Sequence, residues 1–380
     1  MTTNQTKNSF RKEFPVLENM TYLNHAAISL LPNTTKFYLL EYLNRLTNEG
    51  PNYERDKLLI EEARVTLSKF LNCRASEIAF VQNTSSGISK IAQGLRLNTK
   101  DKIACIVPDF PSNIYPWLWQ SRKGIEVYFI HYDHKNFRLK DIIEKIKPGT
   151  KLLALSHVNY VTGFQFPLAE FSSVLKNKGI LLFADMIQSI GAIPVNLKEL
   201  GVHFMSAGSH KWMMGLPGAG ILYISKEVQD LVEPVELGWK SVIQEEDFFK
   251  IALDLKKDAL VMEPGTMNSV GVFALLKGIE FINSYGIHNV FDTISSWNGS
   301  LAKELKRANI SVVSPHDNEY ASSILSFEYD KPHLLYKYLL TQNIKISLRD
   351  NLIRVSPHFY NNEDDLRNLV DGILRYKKML

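Results

Sequence analysis

The chain has 380 residues, of which 45% are hydrophobic, and its 44 basic and 40 acidic side chains leave a formal net charge of +4. This length suits one large or two ordinary domains with hydrophobic cores, and the scattered basic residues give no patch for nucleic acid. The two cysteines, Cys73 and Cys105, are too few and too isolated for a disulfide framework or a metal site.

The polar N-terminus, residues 1–14, lacks the apolar core of a secretory signal. No apolar run approaches the roughly 18 residues that a membrane-spanning helix needs. We therefore expect a cytoplasmic protein that has no membrane partner.

Apolar residues at helical spacing predict an amphipathic helix over about residues 54–71. Short apolar runs alternate with helical patterns after this point and predict strands at Ile78–Val81, Ile103–Val107, Ile125–Ile130, Leu152–Leu155, Ile180–Ala184 and Gly220–Ile224. This alternation is typical of an α/β domain with a mostly parallel sheet. Ligands of such sheets collect at the carboxyl ends of the strands, which Thr84, Phe110 and Asp185 follow.

The pattern changes after about residue 265 and becomes that of a smaller α+β unit. It predicts helices at Val272–Ile282 and Ile294–Leu305, strands at Ser322–Tyr329 and Leu352–Ser356, and a capped helix that starts at Asn362. The predicted organisation is therefore an N-terminal segment at 1–45 that packs on the small domain, a large α/β domain at 46–264 and a small C-terminal α+β domain at 265–380.

Lys211 lies in a turn of small residues, and it follows Asp185, which ends an apolar run, and Gln188. A lysine can form a Schiff base with an aldehyde, and a carboxylate can pair with a pyridine nitrogen, so this set suits pyridoxal 5′-phosphate (PLP). Taken alone, Lys211 is better explained as a solvated surface lysine, and Asp185 has a common alternative explanation as a helix N-cap. The three residues together indicate a PLP site.

From Tyr22 to Asn361 the chain resembles the fold-type I PLP-dependent enzymes of the class V aminotransferase group. This group contains cysteine desulfurases, selenocysteine and cystine lyases, isopenicillin N epimerase-like proteins and kynureninases. The resemblance implies a large domain with a mostly parallel sheet flanked by helices and a smaller α+β C-terminal domain. It also implies PLP as the cofactor, an amino-acid substrate, and a homodimer with active sites at the interface.

The resemblance also implies a role for individual residues. Lys211 holds the cofactor and moves protons, Asp185 pairs with the pyridine nitrogen, and Gln188 reaches the phenolic oxygen. The other residues that the resemblance implies as cofactor contacts are Thr84, Ser85, Phe110, Asn159, His210, Trp239, Thr266 and Asn268. Tyr160 is the alternative to Asn159. Of the implied contacts, Trp239, Thr266 and Asn268 lie in two segments, 238–239 and 265–268, that reach a neighbouring subunit's cofactor. Substrate binding falls to Arg354, which grips the carboxylate, and to His25.

The reaction stays open at this point. The first hypothesis is a class V aminotransferase or an isopenicillin N epimerase-like enzyme acting on an L-amino acid. The alternative is a PLP-dependent C–S lyase, of the cysteine, cystine or selenocysteine lyase type, or a kynureninase-like hydrolase. A persulfide-forming cysteine desulfurase is disfavoured because residues 343–351, ahead of Arg354, contain no cysteine. A PLP-binding scaffold without activity is disfavoured because the chain retains Lys211.

Overall fold

The computed structural model describes residues 9–379 of the chain. Residues 1–8 of the predicted N-terminal segment, and Leu380, lie outside the described residues.

Strands and helices alternate through the first two thirds of the described chain. The strands are β1 (Thr21–Tyr22), β2 (Ile78–Val81), β3 (Lys102–Val107), β4 (Glu126–His131), β5 (Thr150–Ser156), β6 (Leu181–Asp185), β7 (Phe204–Gly208), β8 (Gly220–Ile224), β9 (Leu325–Phe327), β10 (Ile344–Lys345), β11 (Ser347–Arg349) and β12 (Leu352–Val355). The α-helices are Asn33–Asn48, Tyr53–Leu71, Thr84–Gly94, Tyr115–Leu118, Leu139–Glu144, Leu168–Lys176, Leu197–Leu200, Ser269–Tyr285, Ile287–Arg307, Pro332–Thr341 and Glu363–Met379. Short 3₁₀ turns lie at Pro15–Glu18, Ala75–Glu77, Pro111–Asn113, Trp119–Lys123, Lys226–Leu231, Trp239–Ser241 and Ala259–Met262.

The central sheet has seven strands in the spatial order β2-β8-β7-β6-β5-β3-β4. The neighbours from β4 to β7 pair in parallel, whereas β8 is antiparallel to both β7 and β2. All residues of β6, β7 and β8 are buried, as expected for a sheet covered by helices on both faces. The predicted mostly parallel α/β sheet is confirmed.

Sequence patterns located most of these strands to within two residues of their ends. They missed β7, the strand that leads into the turn of Lys211. Its second half, Ser206–Gly208, has only small side chains, so it lacks the branched and aromatic residues that mark a strand. It is a strand because both of its neighbours, β6 and β8, supply hydrogen bonds along its length.

The C-terminal part contains an antiparallel sheet of β11, β12 and β9, whose apolar residues form a core of their own with the helices Pro332–Thr341 and Glu363–Met379. The N-terminal segment joins this part, since β1 pairs in parallel with β10. The helix Ser269–Tyr285 instead packs against the helix Tyr53–Leu71 and contributes to the core of the large sheet. The domain boundaries after residues 45 and 264 stay a prediction.

Among residues 9–379, no single helix has the length and apolar composition needed to cross a membrane. The helices Ser269–Tyr285 and Ile287–Arg307 pass the same length and composition test only as a pair, which is bent by 76°.

Candidate active site

A cavity of about 290 Å³ opens at the carboxyl ends of the central strands. It gathers most of the predicted site residues, namely Thr84, Ser85, Phe110, Asp185, Gln188, His210, Lys211 and Arg354. Further lining residues include Ala26, Ala27, Tyr160 and Arg349. The parallel strands explain this convergence, because their carboxyl ends meet at one edge of the sheet.

Asp185 is the last residue of β6 and is only 3% exposed. Its Oδ1 accepts a hydrogen bond of 3.0 Å from the backbone N–H of Ile187. Burial raises the pKa of this carboxyl group, Asp109 adds to the rise, and Lys211 opposes it. Within residues 9–379 the carboxylate forms no ion pair with a basic side chain, which leaves it available to a cationic N–H group of a ligand.

Lys211 follows β7 in a turn that two hydrogen bonds of Ser209 hold in place. The Ser209 hydroxyl donates to the carbonyl of Leu216 at 2.7 Å, and the Ser209 N–H donates to the carbonyl of Ala219 at 2.9 Å. Burial lowers the pKa of the Lys211 amine, and the guanidinium groups of Arg354 and Arg349 lower it further, against the opposing effect of Asp185. A lowered pKa increases the neutral fraction of the amine, which is the form that attacks carbonyls and accepts protons.

The helix Thr84–Gly94 points its N-terminus at the cavity. Asn83 caps it by accepting the N–H of Ser86 at 2.9 Å, so the N–H groups of Thr84 and Ser85 remain for a ligand. A helix N-terminus of this kind suits a phosphate group. The helix sits close to β7 because Gly87 has no side chain, since a Cβ at this position would lie 2.2 Å from the Ser206 Oγ.

Thr84 also ties this helix to the strand that precedes Lys211. The backbone N–H of Gly208 donates to the Thr84 Oγ1 at 2.8 Å, and the Ser206 hydroxyl donates to the Thr84 carbonyl at 3.1 Å. The hydroxyl of Thr84 keeps its own proton for a second acceptor. The anion-binding end of the helix and the turn of Lys211 are therefore held in one position relative to each other.

Phe110 presents a half-exposed ring to the cavity, and this ring packs edge-on against Tyr160 with centroids 5.1 Å apart. The ammonium of Lys211 lies 5.8 Å from the centroid of the Phe110 ring. The segment is held by Asp109, whose carboxylate accepts from the Ser156 hydroxyl at 2.5 Å and from the Asn113 amide at 2.9 Å. Sequence analysis missed Asp109, because an acid in a proline-containing turn carries no motif of its own.

Arg354 lies on β12 and is 1% exposed. Its Nη1 donates to the carbonyl of Tyr160 at 2.7 Å, while its Nε has no hydrogen-bond partner among the described residues. Burial lowers its pKa to about 9, helped by the neighbouring Arg349. A buried guanidinium without a carboxylate partner is an arrangement suited to an anionic ligand, and its planar fork matches a carboxylate.

Two predicted contacts are placed elsewhere. His25, predicted to bind substrate, is fully buried, and its Nδ1 and Nε2 are bonded to the Ser356 carbonyl and the Tyr360 hydroxyl. It therefore does not line the cavity, and Ala26 and Ala27 do. Asn159 is likewise turned inward.

The amide of Asn159 serves the local turn. Its Oδ1 accepts from the N–H groups of Val161 and Thr162, and its Nδ2 donates to the Pro108 carbonyl, each at 2.9 Å. Of the two alternatives named from the sequence, it is Tyr160 that lines the cavity.

Thr266 and Asn268 line a second cavity of about 250 Å³ together with Gln82 and Lys90. The Asn268 side chain caps the helix Ser269–Tyr285 by accepting the Gly271 N–H at 3.0 Å. Trp239 lines neither cavity and packs between the rings of Tyr53 and Phe248. Within this single chain, these three predicted contacts do not reach the cavity of Lys211.

The chain is similar to known proteins over nearly its whole length. The family model for aminotransferase class-V matches residues 21–369. The chain is 29% identical to a probable cysteine desulfurase of Pyrococcus abyssi and 25% identical to the uncharacterized aminotransferase YcbU of Bacillus subtilis, in each case over 96% of both proteins. Among solved structures, apo cysteine desulfurase from Thermococcus onnurineus superimposes with a TM-score of 0.90 at 25% identity and covers 98% of each chain.

Proposed function

Because the chain belongs to the aminotransferase class-V family, we propose that it is a PLP-dependent C–S lyase acting on a sulfur-containing L-amino acid. Its cofactor is pyridoxal 5′-phosphate. The observation that carries the proposal is a cavity that joins Lys211, Asp185 and Arg354, in a chain similar over its length to proteins named cysteine desulfurase.

The cavity fits this cofactor. Asp185, buried and without a cationic partner among residues 9–379, suits the protonated pyridine nitrogen, and the N-terminus of the helix Thr84–Gly94 suits the phosphate. We further propose that the ring of Phe110 lies over the cofactor face and that Gln188 meets the phenolic oxygen. When bound, PLP withdraws electrons from the Cα of an amino-acid substrate.

The other steps belong to the protein's own residues. Arg354 binds the substrate carboxylate, and this fixes the Cα–H bond relative to Lys211. The neutral amine of Lys211 takes the proton from Cα, the electron pair of that bond forms a new bond to Cβ, and the sulfur leaves Cβ as a thiolate. Hydrolysis of the remaining unsaturated fragment gives pyruvate and ammonia.

The comparisons correct the order of the hypotheses drawn from sequence. They support the C–S lyase better than the aminotransferase or epimerase-like reaction that came first. The expectation that a persulfide-type cysteine desulfurase is disfavoured is not borne out either, since relatives carry that name.

The cysteines of this chain bear on where the released sulfur goes. Neither of them lines the cavity. Burial raises the pKa of Cys73 to about 12, and burial also raises the pKa of Cys105. Since the thiolate is the reactive form, both thiols are poor sulfur acceptors.

The test offers L-cystine and L-cysteine to the holoenzyme and measures pyruvate, alanine and released sulfur. We expect pyruvate and a sulfur product in equal amounts, without any 2-oxo acid acceptor, and the same rates for a Cys73→Ser/Cys105→Ala double variant. Alanine as the product, together with loss of activity in that variant, would point to persulfide formation on the protein instead.

Transamination is the second candidate, favoured by the similarity to the uncharacterized aminotransferase YcbU. It predicts amino transfer that depends on a 2-oxo acid and releases no sulfur. The hydrolase alternative is tested by adding L-kynurenine and measuring anthranilate. The epimerase-like alternative is tested by measuring exchange of the Cα proton with solvent and inversion at Cα.

We also propose a homodimer in which Trp239, Thr266 and Asn268 serve the partner's site. Support comes from the second cavity, which holds an exposed Thr266 outside the cavity of Lys211. A cytoplasmic location also remains a proposal.

A further inference from the structure

Trp212, the residue after Lys211, has a fully buried indole ring. Its Nε1 donates a hydrogen bond of 2.9 Å to the Oε1 of Gln188. An indole N–H can only donate, so the atom of the Gln188 amide that faces Trp212 must be the carbonyl oxygen. The Trp212 N–H therefore identifies the atom of Gln188 that faces it as the amide oxygen and not the nitrogen.

A second contact imposes the same direction. The Nε2 of Gln188 donates to the backbone carbonyl of Ala26 at 3.0 Å, and a carbonyl can only accept. Gln188 is 3% exposed, so a flipped amide would leave a buried N–H facing an N–H and a carbonyl facing a carbonyl. The amide is therefore held in one orientation from two sides, and its second N–H remains for a ligand.

The indole cannot easily shift, because its backbone is clamped. Gly191, with φ of +95°, packs against Trp212 so closely that a Cβ there would lie 2.4 Å from the Trp212 carbonyl oxygen. The rings of His25 and His358 flank the indole, with centroids 6.2 Å and 5.6 Å away. Trp212 therefore connects the backbone of Lys211 to the amide of Gln188 through one rigid group.

We infer that Trp212 is a positioning residue: its indole holds the Gln188 amide so that an N–H group, and not the carbonyl, faces the phenolic oxygen of the cofactor. This rests on the proposed placement of the cofactor against Gln188. An N–H donor stabilises the ionised form of that oxygen, whereas a carbonyl would favour the protonated form. Trp212 thereby acts on the protonation state of the cofactor without touching it.

The test is a pH titration of the visible absorption band of the holoenzyme, which needs no substrate. Its outcome is therefore independent of which reaction the enzyme catalyses. Trp212→Phe keeps an aromatic ring but removes the donor, so the amide loses one of the two contacts that fix its direction and keeps only the one to Ala26. We expect the midpoint of the titration to move to higher pH by up to about one unit, because the ionised oxygen loses an oriented donor.

Two further variants separate positioning from general damage. Gln188→Met removes the amide and should move the midpoint in the same direction, and Trp212→Phe added to it should then have no further effect. Tyr128→Phe is the control, since it removes a buried hydroxyl that contacts the Thr150 Oγ1 at 2.7 Å, at the start of β5, and should leave the midpoint in place.

Two results would overturn the inference. One is an unchanged midpoint in Trp212→Phe. The other is an equal shift from Trp212→Phe with and without Gln188, because the indole would then act by a route other than the amide. The charged groups that line the cavity (Asp185, Lys211, Arg349 and Arg354) and the half-buried His210 are the same in all variants, and burial holds the pKa of His25 and His358 well below neutrality. The differences between variants thus report on the amide.

Discussion

Replacement of Arg354 by methionine should separate the stability of the protein from its affinity for substrate. The Arg354 guanidinium is buried, forms no ion pair within the described residues, and has its pKa lowered to about 9 by burial and by Arg349. The free protein thus holds a desolvated charge that only a ligand can pair. An unpaired buried charge lowers the free energy of unfolding, and a protein retains such a group where it binds a ligand.

The effect on binding follows from the loss of the carboxylate contact. Truncation of one partner of a buried, hydrogen-bonded charge pair costs about 2–5 kcal/mol. This corresponds to a fall of about 30- to 5,000-fold in kcat/KM for the amino acid. The concentration of amino acid needed to change the visible spectrum of the holoenzyme should rise by the same factor, because the carboxylate contact contributes to binding of the amino acid.

The effect on stability should be small. Arg354→Met leaves the Tyr160 carbonyl without its 2.7 Å donor, a loss of about 1–3 kcal/mol, but it also removes the unpaired buried charge. Arg64 supplies the matched control, because it is equally buried but donates to both carboxylate oxygens of Glu263 at 2.7 Å and 3.0 Å. Arg64→Met leaves the buried Glu263 carboxylate without its cationic partner and should lower the free energy of unfolding by about 3–5 kcal/mol.

The assay compares the melting temperatures of the two apo-proteins with that of the wild type, alongside kcat/KM. Arg354→Met should melt close to the wild type and lose most of its activity, while Arg64→Met should melt several degrees lower. If Arg354→Met kept its activity within a factor of about three, or melted as low as Arg64→Met, then Arg354 would be a structural residue and the argument from its missing partner would be refuted.

Three other outcomes follow from the site. Lys211→Ala should bind PLP without the visible band of the wild type, and borohydride treatment should no longer attach the cofactor to the protein; a covalent label on another lysine would contradict the role of Lys211. Asp185→Asn should raise the melting temperature of the apo-protein near neutral pH, because burial raises the pKa of Asp185 in the folded state above its value in the unfolded chain. The gain should shrink as the pH falls and vanish below the ordinary carboxyl range, where the group is protonated in both states. A gain that did not depend on pH would show that burial of the charge is not its cause. If Thr266 completes the partner's site, mixed and re-associated Lys211→Ala and Thr266→Ala subunits should regain activity that neither variant has alone, and a lack of regain would place Thr266 outside the site.

The parts of the fold that could be predicted are those in which a local pattern and the tertiary structure agree. Strands such as β6 and β8 are short apolar runs bounded by turns, and the sheet buries them on both faces. Strand β7 could not be found because its small residues are defined by their neighbours in the sheet rather than by their own preference. Sequence patterns record local preference, and β7 depends on pairing partners far along the chain.

The site divides in the same way. Lys211, Asp185 and Arg354 have chemical roles that sequence alone suggests, and all three reach the cavity. His25 and Asn159 are polar residues within recognisable motifs, but their hydrogen bonds go to the Tyr360 hydroxyl and to the local turn. Which way a polar side chain points depends on partners that only the folded chain brings near, so motif position alone cannot decide it.

The charged residues around Lys211 also link its pKa to the binding of substrate. The negative charge of Asp185 raises the pKa of Lys211, whereas the positive charges of Arg354 and Arg349 lower it. A carboxylate bound to Arg354 neutralises much of that guanidinium, so the part of the lowering that Arg354 causes is reduced when substrate is present. The pKa of the Lys211 amine is therefore lower before a carboxylate binds to Arg354 and higher afterwards. The unpaired Arg354 thus links occupancy of the carboxylate site to the base strength of Lys211.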